Sequence, residues 1–389
     1  MSVQAARTRE PAPPIPLTLI TGFLGAGKTT LLNRLVKDAA LADTALIINE
    51  FGEIGIDHLL VKSIADGIVL LQSGCLCCTL RGDLVQALEA LLRDLDNGRI
   101  AFRRVMLETT GLADPAPVLQ TAMAHPYLVM RFRLDGVVTL VDAVNGDATL
   151  DAHEEAVKQV AFADRLVLTK TDLLDPAERF AAKQALTARL RALNPAAPIL
   201  DASTGEAVAA VLLNAGLYDP ERKTADVRRW LAHEAYLSAE QAGNHGDHHH
   251  HHHHHRHHHD PNRHDARVRA FALTSDQALP AATIDMFLDL LRSLHGPNLL
   301  RVKGVIRLAE SPDTPLVIHG VQHVFHPPAR LDAWPDEDRR TRLVFIVRDL
   351  DPEVIRGLFR AFLGTPAIDR PDRAALVDNP LVPFGGVDR

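Results

Sequence analysis

The stretch Gly22-Phe23-Leu24-Gly25-Ala26-Gly27-Lys28-Thr29, continued by Thr30, decides the fold. It fits the pattern G-x-x-x-x-G-K-[ST] in full and has the context the pattern needs. An apolar run, Leu17–Thr21, precedes it, and a helical pattern over Thr29–Ala40 follows. Glycines let successive backbone N–H groups turn inward around phosphate oxygens, and the helix N-terminus adds the positive end of its dipole. Gly22, Gly25, Ala26, Gly27, Lys28, Thr29 and Thr30 are therefore the expected phosphate-binding residues. Lys28 would reach the β- and γ-phosphates, and the Thr29 hydroxyl would ligate Mg2+. The rival reading is a Gly-rich turn that binds nothing, and it leaves the strand-loop-helix context unexplained.

Outward from this loop, short apolar runs alternate with helical patterns. The runs are Ala45–Asn49, Ile68–Gln72, Val105–Glu108, Val137–Asp142, Arg165–Thr169 and Pro198–Leu200; the helical patterns include Asp83–Leu95 and Pro176–Leu193. Such alternation predicts an α/β fold, a P-loop NTPase domain with a mostly parallel sheet covered by helices on both faces. A helix is expected over Val227–Glu240. From Gly243 to His264 there is almost no apolar side chain, which reads as a flexible linker. A second pattern follows: strands Val268–Leu273, Leu300–Leu308, Leu316–Phe325 and Thr341–Val347, with helices Pro280–Leu294 and Pro352–Leu363. It predicts a smaller C-terminal α+β domain with an antiparallel sheet. The expected organisation is a flexible tail over 1–14, the P-loop domain over 15–225, a linker over 226–266, the α+β domain over 267–365 and a loosely ordered tail over 366–389.

The nucleobase is expected at Thr169-Lys170-Thr171-Asp172, where a strand ends. The Asp172 carboxylate can accept from guanine N1–H and the exocyclic amine, a pair of donors adenine does not present together. Thr169 stands where GTPases more often carry Asn, and an ordinary turn capped by Asp172 is the alternative. Two acidic stretches follow strands and could complete the catalytic end. Glu108-Thr109-Thr110-Gly111 would place Glu108 near Mg2+ or the attacking water and Gly111 near the γ-phosphate. In Asn49–Asp57, Glu50, Glu53 and Asp57 are candidates for metal ligands or for positioning water. Capping or solvated carboxylates are the plainer reading of each.

All three cysteines of the 389-residue chain lie in Gly74-Cys75-Leu76-Cys77-Cys78-Thr79. The spacing is too tight for a disulfide framework. Cys75, Cys77 and Cys78 suit a soft or borderline metal such as Zn2+, against the alternative of small buried residues packing a loop. Thirteen of the 21 histidines fall between His245 and His264, with His248, His249, His250, His251, His252, His253, His254 and His255 in one run. Imidazole ligates Zn2+ and Co2+ well, so the tract suits metal capture; a solvated linker or a tag is the duller reading. His319 and His323 are expected on one strand face, with His326 off it, as satisfied surface histidines. A formal net charge of −7 argues against nucleic acid as a partner. No apolar stretch is long enough to span a bilayer, and free cysteines without an export signal point to the cytoplasm.

Taken together, Gly22–Thr30, Asn49–Asp57, Gly74–Cys78, Glu108–Pro115 and Thr169–Asp172 resemble, in order, the motifs of the CobW-like GTPases. That family includes zinc metallochaperones and a cobalt-handling member of cobalamin biosynthesis, and several members carry a His-rich insert between domains. The resemblance runs from about Ile15 to Leu363. It implies Cys77 and Cys78 as metal ligands, Cys75 next, and a carboxylate from Glu50 or Glu53; Ile48 stands where some relatives have an acidic residue. The expected function is a GTPase that uses Mg2+ and delivers a transition metal, zinc first, to a client metalloprotein. A cobalt chaperone or activator of another metalloenzyme is the alternative on the same fold. A His-rich zinc buffer without turnover and a small-molecule kinase are alternatives of other classes. A homo-oligomer stays open.

Overall fold

The computed structural model describes residues 13–48, 69–72, 81–213, 267–325 and 328–364. Seven strands form the first sheet: β1 (Ile15–Gly22), β2 (Thr44–Ile48), β3 (Val69–Gln72), β4 (Arg104–Glu108), β5 (Phe132–Asp142), β6 (Arg165–Thr169) and β7 (Ile199–Asp201). Their order is β3-β2-β4-β1-β5-β6-β7, with every neighbouring pair parallel. The helices among them are α1 (Lys28–Leu35), α2 (Arg81–Asp96), α3 (Ala116–Ala124), α4 (Leu128–Arg131), α5 (Gly146–Ala152), α6 (Glu154–Phe162), α7 (Arg179–Leu193) and α8 (Ala209–Leu212). Both sheet faces are apolar, as a parallel sheet covered by helices requires. Leu17 and Leu19 face one core layer with Leu88, Leu107 and Phe162; Ile20 faces the other with Leu31, Leu32, Met106 and Leu140. β1 lies between β4 and β5, so the strand order changes direction at its C-terminal end. Ligands of open α/β sheets collect at such a crevice.

The C-terminal unit contains β8 (Val268–Ser275), α9 (Ala281–His295), β9 (Leu299–Ile306), β10 (Leu316–Val321), β11 (Val324–Phe325), β12 (Ala329–Arg330), β13 (Thr341–Arg348) and α10 (Pro352–Phe362). The sheet order is β11-β10-β9-β13-β8, all antiparallel, with β12 paired to β10. Helices α9 and α10 cover one face through Ile284, Phe287, Leu291, Ile355 and Phe359, which pack on Phe271 and Phe345. On β9, Arg301 and Lys303 alternate to the opposite face, which meets α6 and the start of β6. There Asp164 accepts hydrogen bonds from Arg301 and Lys303, and Arg301 also donates to the Phe162 carbonyl. Val268, Leu300, Val321, Val324 and Ile346 join the larger core beside these ion pairs.

Three local expectations are corrected. The helix over Thr29–Ala40 ends at Leu35, because Asp38 turns extended and caps a short 3₁₀ turn, Ala39–Leu41, by accepting from the Ala40 amide at 2.9 Å. The strand over Leu316–Phe325 is a hairpin, broken where Gln322 takes φ 52°. His319 is not a surface residue: it is buried opposite Lys303, whereas His323 sits exposed in the turn. His326 lies outside the described residues.

Candidate functional site

The phosphate loop is built by glycines in conformations that other residues rarely adopt. Gly25 and Gly27 have φ of 73° and 86°. Gly22 has φ 146°, and a Cβ there would lie 2.6 Å from the Leu140 carbonyl oxygen. Gly27 is also the N-cap of α1, and neither a side-chain cap nor an acidic residue occupies that first turn. A helix start so built presents its N–H groups and positive dipole end to an anion. Lys28 is buried, and its Nζ donates to the Gly22 and Phe23 carbonyls at 3.0 and 3.3 Å. Thr29 is half-buried and Thr30 exposed on the same turn. Backbone geometry, ammonium and hydroxyl thus fit a polyphosphate with its divalent cation.

Next to this loop is a cavity of about 320 Å³ lined by Gly27, Thr30, Arg34, Lys170, Asp172 and Ser203, among others. Lys170 has φ 59°, so β6 ends in a sharp turn, and Lys170 and Asp172 line the same cavity. Asp172 Oδ1 accepts from the Ser203 hydroxyl at 3.0 Å, which orients the carboxylate. Lys170 Nζ donates to Asp142 Oδ2 at 2.7 Å. Burial alone would raise the Asp142 pKa. Bonds from Lys170, the Asn145 side chain and the Val144 and Asn145 amides outweigh it and hold the carboxyl below its ordinary value. Beneath, Asp201 accepts from Thr171 and Lys183 and from the Ser203 amide. Despite a burial effect that would raise it, its carboxyl is likewise held low.

Thr169, read from the sequence only as a departure from Asn, has a definite task. Its hydroxyl donates to the Ala26 carbonyl at 2.9 Å, tying the phosphate loop to the end of β6. Asp142 and Ser203 were not among the expected site residues, and Thr169 entered only as part of the nucleobase motif with no task of its own. The polar residues at or just past the ends of the strands over Val137–Asp142 and Pro198–Leu200 were the available signal, since strand C-termini on this edge face the crevice.

Glu108 is fully buried at the end of β4, in register with Ile20 on one side and Ile48 on the other. The loop after it presses on the phosphate loop: a Cβ at Gly111 would lie 2.6 Å from the Leu24 amide nitrogen. Thr109 donates to the Thr21 hydroxyl at 2.8 Å and its amide to the Ile20 carbonyl at 3.0 Å. A second cavity, about 250 Å³, opens on this side between Phe23, Leu24, Asp142, Asn145, Gln159 and Lys170.

The structure therefore brings Gly22, Gly25, Ala26, Gly27, Lys28, Thr29, Thr30, Glu108, Gly111, Lys170 and Asp172 to one edge of the sheet. Glu50, Glu53, Asp57, Cys75, Cys77, Cys78 and His248–His255 lie outside the described residues. Among the described residues no group of three or more His, Cys, Asp or Glu could hold a metal ion, and no helix is long and apolar enough to cross a membrane.

A family model described as CobW/HypB/UreG, nucleotide-binding domain, matches residues 16–201, and one described as Cobalamin synthesis protein cobW C-terminal domain matches residues 268–363. The zinc chaperone YjiA of Escherichia coli K12 is 33% identical over 89% of this chain and 98% of its own length. The zinc chaperone CobW of a Sinorhizobium species is 30% identical over 90% of this chain and 97% of its own. The crystal structure of Zn(II)-bound YjiA GTPase from E. coli superposes with a TM-score of 0.64 at 29% identity, covering 90% of this chain and 99% of that one.

Proposed function

The chain belongs to the CobW family, and from that premise we propose that it is a GTP-hydrolysing metallochaperone that binds a transition metal, zinc first, and transfers it to a client metalloprotein. The observation that carries the reading is the joining of two sites on one sheet edge: an uncapped glycine cradle with Lys28, and a cavity holding Asp172. Relatives of nearly the same length that are named zinc chaperones support the choice of cargo.

In this reading the loop amides and Lys28 cradle the β- and γ-phosphates, while Asp172, oriented by Ser203, accepts from guanine. Mg2+, held by the Thr29 hydroxyl, would neutralise charge on the transferred phosphoryl group. Glu108 stands as a buried carboxylate at the end of β4, where the loop that carries Gly111 begins; Glu53 and Asp57 are the further candidates for positioning water. Cys75, Cys77 and Cys78 with Glu50 or Glu53 would form a thiolate-rich zinc site, and His248–His255 would capture and buffer ions.

Single-turnover reactions with GTP test the chemistry. Free phosphate supports the GTPase, a phosphorylated acceptor the kinase, and no turnover the buffer. Chelator competition for Zn2+, with GDP and with a non-hydrolysable GTP analogue, tests the gating. Tighter binding by about ten-fold in the GTP state corresponds to about 1.4 kcal/mol of coupling. Equal affinities refute nucleotide-gated transfer.

A further inference from the structure

We propose that Gln159 is a positioning residue for GTP hydrolysis, fixing from beneath the loop that reads the γ-phosphate. The inference rests on the GTPase reading above. Gln159 lies on α6 and is only 1% exposed. Its Nε2 donates to the Gly111 carbonyl at 3.2 Å and the Ala113 carbonyl at 3.0 Å, so one amide holds two carbonyls of the loop after β4.

The holder is itself fixed. The Gln159 carbonyl accepts from the Thr139 hydroxyl of β5 at 2.8 Å. Thr139 is the register partner of Thr21, and the Thr21 hydroxyl accepts from Thr109. Both ends of the Thr109–Ala113 segment are thereby referred to the same β1–β5–α6 frame. The neighbouring Lys158 adds an ion pair to Asp114 at 3.1 Å.

Two geometric facts connect this to the nucleotide. Gly111 touches the backbone of Leu24 in the phosphate loop, with no room for a Cβ, so a displaced Gly111 must move relative to the cradle. A trans peptide also points the Leu112 N–H opposite to the Gly111 carbonyl, so holding that carbonyl on Gln159 sets the direction of a backbone donor beside the phosphate loop. A donor fixed before substrate arrives can favour a γ-phosphate without reorganising, which is how preorganised dipoles accelerate phosphoryl transfer. GDP lacks that group and should not register the loss.

The test compares the full-length wild type with Gln159→Met, which keeps length and volume but removes the donor, and with Gln159→Glu, which substitutes an acceptor. Affinities for GDP and for a non-hydrolysable GTP analogue are measured with Mg2+, alongside kcat and KM for GTP. Expected in both variants is GDP affinity within about two-fold of wild type, analogue affinity reduced about ten-fold and kcat reduced by at least that factor, the Glu variant being worse. An unchanged analogue-to-GDP ratio, or equal loss for both nucleotides, overturns the role of Gln159 while leaving the GTPase reading intact. A wild type that releases no phosphate from GTP overturns that reading and this inference with it.

Discussion

Replacing Asp164 with Asn should unseat the C-terminal domain, by an amount the buried charges set. Asp164 is fully buried; Oδ2 accepts from the Val137 amide at 2.9 Å, and Oδ1 receives both Arg301 and Lys303. Burial would raise its pKa, yet the Arg301, Lys303 and His319 charges pull it well below the carboxylate range. Lys303 is lowered to about 8 by burial first and Arg301 second, with Asp164 opposing. Removing the carboxylate leaves two cations buried side by side, which costs about 3–5 kcal/mol. At about 2–4 °C per kcal/mol that is a fall of roughly 6–20 °C in Tm. The pH dependence carries a definite sign. A lysine depressed in the folded state binds fewer protons there than when unfolded, so stability rises with pH from its folded pKa to about 10.4. Without Asp164 the folded pKa drops further and this window opens below pH 8, so the penalty should be smaller at about pH 9 than at about pH 6. Adding Lys303→Met should recover part of the loss. Thermal and urea unfolding at the two pH values decide it: a penalty below about 1 kcal/mol, or one independent of pH, refutes the assignment of these groups as a desolvated charge cluster.

Thr169→Val removes the hydroxyl that holds the Ala26 carbonyl, costing about 0.5–1.5 kcal/mol of nucleotide affinity by calorimetry; Thr169→Ser should retain most of it. Asp172→Ala should weaken GTP by about 1.5–3 kcal/mol and leave ATP unchanged, since only guanine offers the paired donors. Equal wild-type affinity for ATP and GTP would exclude the base assignment. Deleting Gly243–His264 should lower zinc stoichiometry while leaving GTP hydrolysis near wild type. The tract's capacity should decline as pH falls through about 6.5, because imidazole must be neutral to ligate; unchanged stoichiometry by metal titration counts against buffering.

What was legible in the sequence followed from local chemistry. The glycines of the phosphate loop need left-handed or crowded backbone, and Gly22, Gly25 and Gly27 adopt it. Apolar runs bounded by polar residues became strands because a doubly covered parallel sheet needs both faces apolar. Strand order was not legible, since β2 and β4 meet across crossovers whose length does not fix the partner. Nor was the break at Gln322, because a positive φ at glutamine is imposed by the hairpin rather than preferred by the residue. Within the expected strand Leu300–Leu308, the sequence assigned no partner to Arg301 or Lys303. They are buried because Asp164, supplied by a segment far upstream, compensates them. Thr169 was undervalued for a similar reason: its partner, the Ala26 carbonyl, is 143 positions away and only the folded sheet brings it near.

Helix α6 gives these observations a common physical basis. At its middle, Gln159 and Lys158 hold the loop from Gly111 to Asp114. At its start, Glu154 pairs with Lys158, with Arg267 just before β8 and with Arg348 at the end of β13. Past its end, the Phe162 carbonyl and Asp164 take Arg301. The same face of the C-terminal sheet adds Val268, Leu300 and Ile346 to the larger core. Separating the two units would therefore expose the shared apolar surface to water and break these ion pairs together, so the buried apolar area, more than the charges (which regain hydration), sets the cost of such a motion. A change of nucleotide state is better matched to the energy of moving one loop, where a few neutral hydrogen bonds of about 0.5–1.5 kcal/mol each are at stake. Under the proposed function, metal release is then a matter of the loops on the strand ends, with the C-terminal domain staying seated on α6.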